Sequence, residues 1–204
     1  MSVRRLDPNQ PDSFAFTPEN IEWTKGQIAK YPEGRQASAV IPMLWQAQKQ
    51  EGWVTEPAIE VIADMLGMAK IRVLEVATFY TMFNLSPVGK HFVQLCGTTP
   101  CWLRGADDLK AVCRKHIGDP STVSDDGQLS WMEVECLGAC SNAPMVQIND
   151  DYYEDLTAEN FAQILEDLRA GREVKPGPQA ARKGSEPLGK LTSLTTPITA
   201  EGAE

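Results

Sequence analysis

Between residues 17 and 83 apolar positions recur at helical spacing, and the breaks between the runs carry helix punctuation. Thr17, Pro18 and Glu19 supply an N-cap, a first-turn proline and an acid at the positive end of a helix dipole, so a first helix starts there, with Ile21, Trp23 and Ile28 toward a core. A second starts near Ser38 and carries Val40, Ile41, Leu44, Trp45 and Ala47; it tolerates Pro42 only in its opening turn and stops at Gly52. Thr55, Glu56 and Pro57 repeat the start signal ahead of Ile59, Ile62, Ala63 and Leu66, and Gly67 is the stop. Ile71, Leu74, Val76, Ala77, Tyr80 and Phe83 make a fourth helix. Short connections between four amphipathic helices predict a helical bundle over 17–86, preceded by an N-terminal extension over 1–16.

The pattern changes at Pro87 and Gly89. His91 to Cys96 reads as a buried strand with Phe92, Val93 and Leu95. A helix follows Cys101, with Leu103, Leu109, Val112 and Cys113 at core spacing, and breaks at Gly118, Asp119 and Pro120. Ser130 to Val134 is a second strand. Met145 to Ile148 and Tyr152 to Glu154 form a hairpin around Asn149, Asp150 and Asp151, and Thr157 caps a last helix ending at Gly171. The order β, α, β, β, β, α predicts an α/β layer over 87–172. Residues 173–204 are rich in Pro, Gly, Ser and Thr and too poor in large apolar residues for a core, which predicts an extended tail. The fold class is thus α+β, a helical bundle followed by an α/β domain and a tail, without internal repeats.

Charge and composition narrow the partners. Nineteen basic against 28 acidic residues give a net charge of -9, which argues against a nucleic-acid or anionic-membrane surface. No apolar stretch approaches the roughly 20 residues of a spanning helix, so no direct membrane insertion is expected. The N-terminus lacks the apolar segment of a secretory signal, which predicts reduced thiols. Five cysteines in such a chain read as metal ligands plus one spare.

Those cysteines carry the chemistry. Cys96-Gly-Thr-Thr-Pro-Cys101 and Cys136-Leu-Gly-Ala-Cys140 each follow a predicted strand, so both pairs emerge on loops at a sheet end and can converge. Four thiolates complete either a tetrahedral zinc or a two-iron, two-sulfide cluster, and the spacings divide these evenly. Gly97, Gly138, Thr98 and Thr99 bring donors to the sulfurs and tilt the balance modestly toward the cluster. Glu133, Glu135, Asp107 and Asp108, if they face the site, oppose reduction and lower its potential. A thioredoxin-type dithiol needs two intervening residues, and neither pair has them. Cys113 reads as a buried small hydrophobe, His91 and His116 as structural, and Trp23, Trp45, Trp53 and Trp131 as core or interface anchors. Trp102, beside Cys101, is placed to shield the site, and Asp125, Asp126 and Gly127 form an exposed turn. No dinucleotide-binding GxGxxG is present.

At these residues a family resemblance enters. CGTTPC and VECLGACSNAP resemble the small two-iron, two-sulfur subunit of the NADH dehydrogenase module of respiratory complex I. The likeness extends to YPEGRQASAVIPMLWQAQKQEGW, LEVATFYTMF and GPQAARKGSEPLGKLTSL, and so covers most of the chain. It implies a thioredoxin-like domain over 87–172, with a cis bond at Ala143–Pro144 and one 2Fe-2S cluster. Cys96 and Cys101 would bind one iron and Cys136 and Cys140 the other, with no catalytic residue on this chain. The resemblance places hydride chemistry on a partner flavoprotein that holds FMN and NADH. It also implies the other peripheral-arm subunits as partners, a tail laid across the flavoprotein, and a cytoplasmic location on the inner face of a bacterial plasma membrane. Equivalent subunits of NAD-linked hydrogenases or formate dehydrogenases, a zinc-stabilised scaffold and an independent thiol oxidoreductase are the rival expectations.

Overall fold

The structure is a computed structural model that describes residues 4–189 and 193. Two compact units divide between Val88 and Gly89. The first is helical: α1 (Pro18–Ile28), α2 (Val40–Glu51), α3 (Glu56–Leu66) and α4 (Lys70–Phe79), with a 3-10 turn at Gln36–Ala39 ahead of α2. Thr17 and Thr55 accept from Asn20 N and Ala58 N, filling the N-cap roles that their sequence context predicts. Gly52 and Gly67 end α2 and α3 at φ of 83° and 62°, where a side chain would be strained. Pro42 falls in the first turn of α2, where its missing N–H costs no helical bond.

Met43, Leu44, Ala47, Ile59, Ile62, Val73, Ala77 and Phe83 fill the core of this unit. Its contents differ from the periodicity at several places. Trp23 lies 38% exposed, and the one buried residue of α1 is Thr24, with Ile21 and Ile28 packed partly on the core. Ile71 and Tyr80 are also surface residues, because α4 buries only the Val73 and Ala77 stripe. Phe83 is buried from the turn after α4, since the backbone leaves the helix at Tyr80. Residues expected to form an N-terminal extension contribute to the unit: Phe14 and Phe16 are buried edge to face. Arg4 donates to the carbonyls of Ala77 and Thr78 in the last turn of α4 and of Tyr80 and Phe83 just beyond it.

The second unit holds one five-stranded sheet in the order β2-β1-β3-β4-β5. Its elements are β1 (His91–Cys96), α5 (Thr99–Leu103), α6 (Ala106–His116), β2 (Leu129–Val134), β3 (Val146–Ile148), β4 (Asp151–Glu154), α7 (Ala158–Arg169) and β5 (Gly177–Pro178). β1 and β2 are parallel, whereas β1 with β3 and β3 with β4 are antiparallel. Val93, Leu95, Leu129 and Trp131 from the sheet pack with Leu109, Val112 and Cys113 of α6 and Phe161, Ile164 and Leu165 of α7. The stretch after Cys101 is two helices, not one, because Gly105 turns the chain at a φ of 103° between α5 and α6. The first part of the expected tail also joins the sheet: β5 pairs in parallel with β4. The expectation for residues 190–192 and 194–204 lies outside the described residues. Among the described residues, no helix is long and apolar enough to cross a membrane.

Candidate metal centre

Parallel pairing of adjacent β1 and β2 puts their C-terminal ends at one edge of the sheet. Cys96, the last residue of β1, is in register with Val134, two residues ahead of Cys136. The topology therefore brings both cysteine loops to the same edge, which alternation of apolar residues alone does not specify. Cys96 and Cys101 are buried, whereas Cys136 and Cys140 are exposed.

The sulfurs come as pairs. The Sγ atoms of Cys136 and Cys140 lie 3.7 Å apart. Two thiolates on one tetrahedral metal at about 2.3 Å are about 3.8 Å apart, so this pair fits a single metal position. Cys96 and Cys101 hydrogen-bond to each other. Among the described residues no three His, Cys, Asp or Glu side chains gather tightly enough to hold one ion, and the thiols stand as two pairs.

Donors surround these sulfurs. The Thr98 hydroxyl lies 3.3 Å from Cys96 Sγ, and Gly138 N–H donates to Cys136 Sγ at 3.4 Å. The backbone N–H of Leu137 donates to Cys96, so the second loop reaches the first pair; that of Met145, beyond the cis Ala143–Pro144 bond, donates to Cys101. These backbone donors carry no signal in side-chain identity. Of the four loop residues singled out from the sequence, Thr98 and Gly138 approach sulfur, whereas Gly97 N–H bonds Val134 O and Thr99 opens α5.

The thiols respond accordingly. Burial pushes Cys96 up, but the hydroxyl and backbone of Thr98, the Leu137 N–H and Cys101 outweigh it, and the net shift is downward. Cys101 is pushed up to about 12 by burial and then by Cys96 beside it. Cys136 pushes Cys140 up. A site whose thiols oppose one another in this way favours a positive centre between them. Cys113 is apart from the pairs, fully buried in α6 and pushed to about 12 by burial.

The surroundings correct part of the charge picture. Glu133 and Asp107 do not stand as free anions, because Lys110 bridges them at 2.9 and 3.2 Å. All four acids, Glu133, Glu135, Asp107 and Asp108, are exposed. Trp102 is 54% exposed and donates from Nε1 to Asp107 at 3.0 Å. Two further supports have no sequence signal. Tyr152 of β4 donates to Leu137 O at 2.8 Å, and Arg182 donates to the carbonyl of Ser141, the residue after Cys140, at 2.9 Å and to Asp155 after β4.

Residues 24–169 match the family described as thioredoxin-like [2Fe-2S] ferredoxin. The chain is 59% identical over 203 residues to an NADH-quinone oxidoreductase subunit of Rhizobium meliloti (strain 1021), covering 97% of this chain and 74% of that one. It is 44% identical over 199 residues to the mitochondrial NADH dehydrogenase [ubiquinone] flavoprotein 2 of Dictyostelium discoideum, covering 96% of this chain and 81% of that one. An NAD+-reducing [NiFe]-hydrogenase in its H2-reduced state shares the fold, with a TM-score of 0.57 at 18% identity over 64% of this chain; the present chain spans 22% of it. The paired thiols at one sheet edge and these matches lead to the same conclusion: the chain belongs to the thioredoxin-like [2Fe-2S] ferredoxin family.

Proposed function

We propose that this chain is the 2Fe-2S electron-transfer subunit of an NADH:quinone oxidoreductase of the complex I type. The observation that carries the proposal is the gathering of two cysteine pairs at the common end of β1 and β2, ringed by N–H and O–H donors. In this reading Cys96 and Cys101 hold one iron and Cys136 and Cys140 the other. The cluster supplies one-electron exchange. The chain's own groups hold it: Thr98, Leu137, Gly138 and Met145 direct donors at sulfurs that grow more negative on reduction, which stabilises the reduced form. Burial of Cys96 and Cys101 keeps water from one side, while exposed Cys136 and Cys140 leave a short path for an electron from a partner.

The partner is a flavoprotein subunit that binds FMN and NADH and performs the hydride step, with the other peripheral-arm subunits completing the assembly. The complex lies on the cytoplasmic face of the inner membrane. High identity to the Rhizobium relative along nearly the whole chain supports this assembly over an NAD-linked hydrogenase or formate dehydrogenase.

Electron paramagnetic resonance of the purified chain after dithionite reduction, with iron, sulfide and zinc analysis, tests the reading. Two irons and two sulfides per chain with a reduced-state signal below the free-electron g value are expected. Stoichiometric zinc and a silent spectrum, in material produced with iron available, would replace it with the zinc-stabilised scaffold.

A further inference from the structure

The side of the site next to Cys96 and Cys101 carries an ion network that no step above uses. Lys110, on α6, has a side chain only 16% exposed and stands between two carboxylates, Glu133 of β2 at 2.9 Å and Asp107 at 3.2 Å. Glu133 covers the residue after Cys96, since a Cβ added at Gly97 would collide with Glu133 Oε1. Asp107 accepts from Nε1 of Trp102, the residue after Cys101. One lysine therefore ties together the neighbours of both buried cysteines.

Two carboxylates beside a cluster that gains a negative charge on reduction would disfavour that reduction, an effect lessened here by solvent screening because both side chains are at least half exposed. Hydrogen bonds to Glu133 and then Asp107 hold Lys110 firmly cationic, outweighing its partial burial. The trio thus carries one negative charge, where the two acids alone would carry two. The short tether to Glu133 also holds that half-exposed carboxylate over Gly97.

We infer that Lys110 is a positioning and charge-balancing residue that raises the reduction potential of the cluster by offsetting half of the negative charge that Glu133 and Asp107 place beside Cys96 and Cys101. The inference rests on the cluster assignment above and concerns this chain's own residues. Lys110 touches neither sulfur, so its effect is read in the potential and not in cluster content.

The test is a redox titration of the full-length, cluster-loaded chain, following the reduced-state resonance in wild type, Lys110→Met, Lys110→Arg and Glu133→Gln. Lys110→Met should make the one-electron reduction about tenfold less favourable, a midpoint shift of about 59 mV to more negative values. Lys110→Arg keeps the charge and should restore most of the shift, while Glu133→Gln should move the midpoint the opposite way. Unchanged g values across the set accompany the expected result, because the sulfurs themselves are not altered. An unchanged midpoint in Lys110→Met, or an equal shift in Lys110→Arg, overturns the charge-balancing role. Should Lys110→Met fail to load iron, Glu133→Gln decides, and an unchanged midpoint there has the same force. A wild-type chain with zinc and no signal would remove the cluster assignment itself, an outcome distinct from an intact cluster with an indifferent lysine.

Discussion

At the scale of single residues, side-chain chemistry is legible wherever the residue type restricts its own environment. Cysteine pairs, threonine caps and stop-signal glycines are of this kind, and so is Cys113, whose single thiol in an amphipathic helix lies in the core. His91 opens β1, in keeping with a structural role, but its environment comes only from packing: Nε2 is buried without a partner. Burial, and then Lys90, lower its pKa from the ordinary value. The unfolded chain therefore binds a proton at His91 near pH 6.5 that the folded chain resists. Folding stability from this group is complete above that pH and falls as the pH drops through it toward the lower folded value. His91→Gln should flatten the stability profile between about pH 7 and 5, as measured by urea unfolding; an equally steep acid-side loss in the variant would show that other groups govern it.

At the scale of elements, the helices and the strand order along the chain are legible because each has its own period and its own end signals. Less legible are the ends that packing decides, such as the exit from α4 at Tyr80, and the segment after α7. That segment pairs β5 with β4, and Arg182 then grips Asp155, with Nε donating to Oδ2 at 2.7 Å, while Asn142 donates to Gly184 O at 2.8 Å. Ser141, whose carbonyl also accepts from Arg182, and Asn142 directly follow Cys140, so this latch spans the metal loop and the tail. The ion pair is nearly excluded from solvent, its side chains 8% and 10% exposed, which makes loss of one partner costly for the other. Arg182→Ala should free the segment after β5, with cleavage there by a protease that does not cut at arginine about tenfold faster. An unchanged cleavage rate would show that β5 pairing alone holds it.

At the scale of the whole molecule, the metal group and the fold of the second unit are expected to stabilise each other. The Cys136–Cys140 loop anchors Leu137 and Ala139 partly on the core but leaves both thiols exposed, so its order also depends on Tyr152, Arg182 and whatever the sulfurs bind. Removing iron with a chelator under reducing conditions should lower the thermal midpoint on the order of 5 °C or more, and reconstitution should restore it, as followed by circular dichroism. An identical midpoint with and without iron would mean that the protein scaffold alone orders the loop. The order of residues was enough to specify the element types, the α+β class and the presence of a four-thiol constellation, because periodicity, caps and soft ligands are local properties of residue types. Three features emerged only on folding: β1 and β2 lie parallel and adjacent, the thiols stand as pairs with backbone donors from Leu137 and Met145, and Lys110 of α6 pairs with Glu133 of β2. Those features join residues far apart along the chain through backbone atoms and long flexible side chains. Their partners are fixed by packing, which no local pattern encodes.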